Sequence, residues 1–243
     1  MSQQPLHQFE IDPIVSLSVG GVDVSFTNAA LAMILSSILI LSVFIWGARQ
    51  QSLIPRRVQA IVELGYKTIA QLIDENIGTA GYAFFPFVFS VFFFILGGNV
   101  FGMLPYTFTF TSHIIVTFGL AAFVFCVVTL VGFARHGVKF LRTFAPQGVP
   151  VPVLLLLVPV EIISYFSRPF SLAVRLFANM MAGHTMIKVF AGFSVSLGVF
   201  FGLTPMFVNV ALTAFELLVA VLQAYVFSVL TCVYLHDAIY MEH

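Results

Sequence analysis

Apolar residues dominate this chain in long blocks, and polar residues fall at the ends of those blocks. From Ala29 to Trp46 only Ser36, Ser37 and Ser42 are polar. That length and composition predict a membrane-crossing helix within residues 27–48. Ser25-Phe26-Thr27-Asn28 supplies polar residues to cap it, and Trp46 suits an interface. Phe84–Leu104 and His113–Phe133 predict a second and a third crossing, a hairpin over 84–134 turned by the polar stretch Pro105–Ser112. Asp12-Pro13 and Gly20-Gly21 are turn signals in the mixed N-terminal segment 1–26, and Pro146, Gly148, Pro150 and Pro152 mark a later loop.

Two stretches depart from the simple span. Pro55 opens an element in which Val58, Ile61, Val62, Leu64, Ile69, Leu72 and Ile73 recur between Gln59, Glu63, Lys67, Gln71, Asp74 and Glu75. This is helical amphipathicity over about 56–77, too charged to span, and predicts a helix on the membrane surface or, alternatively, a soluble linker helix. The region 151–235 predicts two long helices, Val153–Leu197 and Pro205–Tyr234, joined at Gly198–Thr204. About 20 residues cross the hydrocarbon, so the first is expected to be tilted or kinked, with Pro159 and Pro169 as candidate kinks.

Composition supports this architecture. The 243 residues are 60% hydrophobic and 8% charged, with mean hydropathy +1.06. A soluble domain carries about 25% charged residues. The expected fold is an all-α polytopic membrane protein, residues 1–243 forming one membrane domain with five crossings and one amphipathic surface helix. A formal net charge of zero gives no case for nucleic acid as a partner. Cys126 and Cys232 both lie in apolar stretches and read as packing residues. The six histidines lack metal-ligand spacing, so no metal is expected, and no G-x-x-x-x-G-K-[ST] string provides a nucleotide site. Residues 1–26 contain no Lys or Arg, unlike a signal peptide of the usual kind. Seven of the ten basic residues lie in Arg49–Lys67 and Arg135–Arg142, which places those loops inside and the N-terminus outside.

Within the last region one residue stands out. Arg175, in SLAVRLFANMMAGH (Ser171–His184), is a permanent cation in an apolar helix. At a helix centre it costs about 2.5–3.5 kcal/mol on insertion scales. It could snorkel, pair with a buried carboxylate, or be a working charge on an ion path; an ionisable residue in a membrane is by default a functional hypothesis. Folding the two long helices as an antiparallel hairpin brings further polar residues to matching depth. The midpoints of the pairs Arg175–Gln223 and His184–Glu216 both fall at the connection. Helix rotation is not fixed by this arithmetic, so facing does not follow from it. Asn179 follows Arg175 by one turn, and Glu161 precedes it by about four turns, so the three share a face approximately.

These groups suit proton transfer. His184 and Glu216 are proton carriers of the right type, and Glu161 could pass a proton to the inner side. Arg175 cannot relay a proton but can attract a carboxylate. Two half-paths separated by a fixed positive charge need a mobile carboxylate, and none stands at that depth in this chain, so it would belong to a partner. For His184–Glu216 the structural alternative is a buried pair that only fixes the hairpin. For Asn179, Gln223 and the lone amide Asn99 it is interhelical packing. The Gly98-x-x-x-Gly102 spacing beside Asn99 predicts a close helix approach. Arg168 is expected to snorkel inward, and His236 and Asp237 to be solvated at the inner end.

SLAVRLFANMMAGH, LQAYVFSVLTCVYL (Leu222–Leu235) and GNVFGMLPYTFTFTSH (Gly98–His113) resemble the a subunit of the membrane sector of F-type ATP synthases, over nearly the whole chain. The resemblance implies a non-catalytic stator subunit without a cofactor, beside a rotating ring of c subunits and the peripheral-stalk b subunits in a lipid bilayer. It implies that Arg175 faces the ring carboxylate and blocks a proton short-circuit. It also implies that His184 and Glu216 line the inlet half-channel, that Asn179 and Gln223 lie near the arginine, and that Glu161 lies toward the other half-channel. Some bacterial members exchange the residue types at His184 and Glu216. The order here is also seen in mitochondrial members, so a bacterial inner membrane is expected with a mitochondrial inner membrane as the alternative. Sodium-binding variants carry extra ligands on the ring; the histidine–carboxylate pair favours protons. The rival readings are a stand-alone proton-coupled transporter, a haem- or quinone-binding anchor using His113 and His184, and a structural scaffold.

Overall fold

The computed structural model describes residues 11–16, 18–19, 22–23, 25–49, 57–104, 107–144 and 151–240. Gly20-Gly21, Pro55, Pro105 and the loop marks Pro146, Gly148 and Pro150 lie outside the described residues. Short antiparallel pairs, β1 (Pro13–Val15) with β4 (Phe26–Thr27) and β2 (Ser18–Val19) with β3 (Val22–Asp23), precede the first helix.

Among the described residues seven α-helices follow: α1 (Asn28–Arg49), α2 (Arg57–Asn76), α3 (Phe85–Gly102), α4 (Ile114–His136), α5 (Val151–Ser196), the one-turn α6 (Gly198–Phe201) and α7 (Leu203–Tyr240). Five helices, α1, α3, α4, α5 and α7 with their flanking turns, are long and apolar enough to cross a membrane. Helices satisfy every interior backbone group internally, which an apolar medium requires. Thr27 and Asn28 cap α1, accepting from Ala30 N at 3.4 Å and Ala29 N at 2.9 Å. Hydroxyls inside the spans bond back to carbonyls of the preceding turn, as Thr129 does to Phe125 O at 2.7 Å and Thr231 to Phe227 O at 2.8 Å.

The core lies where α3, α4, α5 and α7 meet. A stripe on α7 (Ala224, Phe227, Cys232, Leu235) packs with Val88, Ile95, Val124 and Leu176. Small residues on α7 let the helices approach closely. Cys232 fits the packing reading, whereas Cys126 is exposed on α4. α1 stands outside this core against α3, with Phe44 edge-on to Phe89 and Phe93 at 5.0 and 4.6 Å.

Several elements differ from expectation. α2 turns Ile69, Leu72 and Ile73 into the protein core and leaves Ile61 and Leu64 exposed, so its apolar residues are divided between two surroundings. The connection expected at Gly198–Thr204 is mostly helical: Gly198, at φ +73°, makes the turn, and α6 leads into α7. The glycines of Gly98-x-x-x-Gly102 do not admit a second helix. A Cβ at Gly98 would strike the Phe110 ring, and one at Gly102 would stand 2.7 Å from Thr109 Oγ1. They make room for the segment that folds back after α3, including the 3-10 turn Phe110–Ser112.

Candidate functional site

α5 and α7 form an antiparallel hairpin, and its contacts sort the polar residues into two groups. His184 on α5 meets Glu216 on α7 through Nδ1 and Oε1. Glu216 is 4% exposed, and its Oε2 has no hydrogen-bond partner among the described residues. Gly183 makes room for the carboxyl, since a Cβ there would lie 2.6 Å from Oε1. The other ring nitrogen, His184 Nε2, lies 2.7 Å from Thr109 Oγ1 and 3.0 Å from the Gly102 carbonyl. Thr109 Oγ1 also donates to Gly102 O at 3.0 Å. Gly102 ends α3, so its carbonyl is one of those that a helix terminus leaves without an intrahelical partner. Both ring nitrogens of His184 are thus engaged by protein groups.

Asn99 is fully buried one turn below Gly102 and donates from Nδ2 to Ala220 O at 3.2 Å. This is an α3–α7 bond of the interhelical kind, while Oδ1 is without a partner among the described residues.

The second group lies elsewhere on α5. Leu172, Ala173, Leu176 and Met180 are buried, while Arg175 is exposed. Glu161, Arg168 and Arg175 recur at seven-residue intervals, about two turns each, and Asn179 follows by one turn. They form one stripe, with Glu161 and Asn179 half-buried. Gln223 on α7 is half-buried. No hydrogen bond joins it to Arg175 among the described residues, and the Arg175 guanidinium makes no ion pair there. α5 is the least covered of the five spans, 6% of its apolar window being buried. His184 stands nine residues from Arg175, about 13 Å along the helix.

The inner end holds a contact that end-of-helix reasoning misses. Arg168 does not snorkel free and Asp237 is not merely solvated: Nη1 lies 3.0 Å from Oδ2. The guanidinium also stands 5.6 Å from the Tyr165 ring centre and 5.1 Å from that of Tyr234. Thr109 and the Gly102 carbonyl were likewise not expected at His184. The polar string Thr107, Thr109, Thr111, Ser112 in the turn after the second span was the available signal.

The family model described as ATP synthase A chain matches residues 30–236. The chain belongs to this family. ATP synthase subunit a of Pelagibacter ubique (strain HTCC1062) is 52% identical over 244 residues, covering 100% of both chains. That of Parvibaculum lavamentivorans (strain DS-1 / DSM 13023 / NCIMB 13966) is 52% identical over 245 residues, 98% of this chain and 94% of the relative. That of Rhodospirillum rubrum is 51% identical over 239 residues, 98% and 99% of the two chains. As an ATP synthase A chain with bacterial relatives and five apolar spans, it is a multi-pass membrane protein of bacterial type; the mitochondrial alternative gains no support.

Proposed function

We propose that this chain is the proton-conducting stator subunit of an F-type ATP synthase, set in the bacterial inner membrane against a ring of c subunits and held by the b subunits. The observation that carries the reading is a separation of charge. A buried histidine–carboxylate pair sits inside the bundle, and an arginine with no ion pair among the described residues stands on the open face of the same helix. His184 and Glu216 form the inlet half-path from the outer side. Glu161 serves the outlet on the inner side, with Asn179 and Gln223 beside the arginine and Asn99 in the wall behind Glu216.

Arg175 keeps the two half-paths apart. Its guanidinium holds its proton at all working pH, repels a second cation and attracts a carboxylate presented from outside the chain. Ring carboxylates passing it would carry protons from one half-path to the other, coupling proton flow to rotation and ATP synthesis. α2 would lie along the inner membrane surface and brace α3 and α7.

The test uses inverted membrane vesicles carrying the assembled complex, comparing the parent with Arg175→Ala for ATP-driven acidification and passive proton leak. Loss of pumping with assembly intact is the expected result, and a raised leak identifies the arginine as the barrier. Pumping near the parent level would overturn the reading.

A further inference from the structure

We propose that Thr109, together with the Gly102 carbonyl, is the positioning group of the proton relay: it holds a hydrogen on His184 Nε2, so that only the Nδ1–Glu216 side exchanges protons. The inference rests on the proton-path reading above and assigns the direction of transfer within it.

The assignment follows from donor and acceptor types. A backbone carbonyl can only accept, so Nε2, 3.0 Å from Gly102 O, carries a hydrogen. The Thr109 hydroxyl has one hydrogen, which it gives to Gly102 O at 3.0 Å. Its lone pair then faces the same Nε2–H at 2.7 Å. One N–H is shared between two acceptors, and neither can take the proton onward: a carbonyl and an alcohol are far too weakly basic.

Protons therefore do not enter the ring on one nitrogen and leave on the other. The pair holds one exchangeable proton. In one state it sits on the Glu216 carboxyl beside a neutral ring with its hydrogen on Nε2. In the other it has crossed to Nδ1, leaving an imidazolium against a carboxylate. Net charge on the pair is zero in both. Arrival and departure are left to the carboxyl, and Oε2, buried and without a partner among the described residues, is the oxygen that faces the path.

Three ionisable groups stand on the elements around the ring. Glu216 is on α7, Lys188 stands one turn along α5, and His113 precedes α4, its ring stacked on Phe108 at 5.0 Å. The contacts of Nε2 are Thr109 Oγ1 and Gly102 O. Thr109 is the side chain through which a substitution addresses that nitrogen.

The experiment measures ATP-driven proton pumping against pH in vesicles carrying the whole complex, for the parent, Thr109→Val, Thr109→Ser and Glu216→Gln. Without the hydroxyl the protonated ring loses one acceptor, so in Thr109→Val the alkaline limb of the profile moves down by about half to one pH unit. Thr109→Ser, which keeps the hydroxyl, restores the parent profile. Should Thr109→Val not assemble, Thr109→Ala is expected to show the same downward shift. A Val or Ala profile superimposed on the parent overturns the inference. So does an equal loss in Val and Ser with no shift, which marks a packing role only. Glu216→Gln separates the two levels: pumping at the parent level there sinks the proton-path reading itself, whereas its loss beside an unmoved Thr109→Val profile sinks only this inference.

Discussion

Gly183 and Glu216 are matched across the α5–α7 hairpin: the carboxyl occupies the space a side chain at 183 would fill, with Oε1 2.6 Å and Cδ 2.8 Å from an ideal Cβ. A buried carboxylate is tolerated in an apolar bundle only when held against a partner, and the missing side chain lets it reach His184. Gly183→Ala is therefore expected to push Glu216 off its partner. Proton pumping should fall at least tenfold, with about 1–3 kcal/mol lost in stability from overpacking. Pumping assays and thermal denaturation of the complex check both, and parent-like values in both would sink the argument.

Arg168 and Asp237 are 33% and 47% exposed, so their pair is discounted heavily for solvent. A coupling of about 0–1 kcal/mol is expected from a double-mutant cycle with Arg168→Gln and Asp237→Asn. Its tyrosine neighbours place the guanidinium, so Tyr234→Leu should reduce that coupling further. A measured coupling above about 2 kcal/mol would mean the pair is desolvated in the membrane.

Asn99→Ala removes the bond to Ala220 O and leaves a cavity between α3 and α7. A stability loss of about 1–2 kcal/mol is expected, with proton flow reduced less than in Glu216→Gln. Flow abolished in a complex of parent stability would instead make Asn99 a link in the path.

His113 precedes α4, and burial lowers its pKa below the ordinary 6.5. The unfolded chain therefore binds this proton at higher pH than the folded one. Stability from this group is full above the unfolded value and declines as pH falls through about 6.5 toward the folded pKa. The midpoint of thermal unfolding should drop between about pH 7.5 and 5.5, and by less in His113→Gln. An identical drop in the two proteins would remove His113 as a source.

The five spans and the α5–α7 hairpin were legible in the chain because apolar length and hairpin arithmetic depend on sequence spacing alone. The meeting of His184 with Glu216 agrees with the depth expected from their common midpoint. Arg168–Asp237 escaped although its midpoint, between Gly202 and Leu203, also lies within Gly198–Thr204: Asp237 falls beyond the helix end expected at Tyr234 and was read as solvated. Thr109 and Gly102 escaped for a different reason. A carbonyl becomes available only where a helix happens to end, and Thr109 acts only because its segment folds back over two glycines. The exposure of Arg175 depends on helix rotation, which spacing does not fix.

The uncovered face of α5 has a consequence for the life of the protein before assembly. A copy alone in the bilayer presents a guanidinium to lipid at a cost of about 2.5–3.5 kcal/mol, and a copy docked against carboxylates does not. On the proposed function, the residue that divides the proton path would also tag the orphan subunit. Arg175, if it does the work proposed for it in the assembled complex, would make each unincorporated copy a poor resident of its membrane.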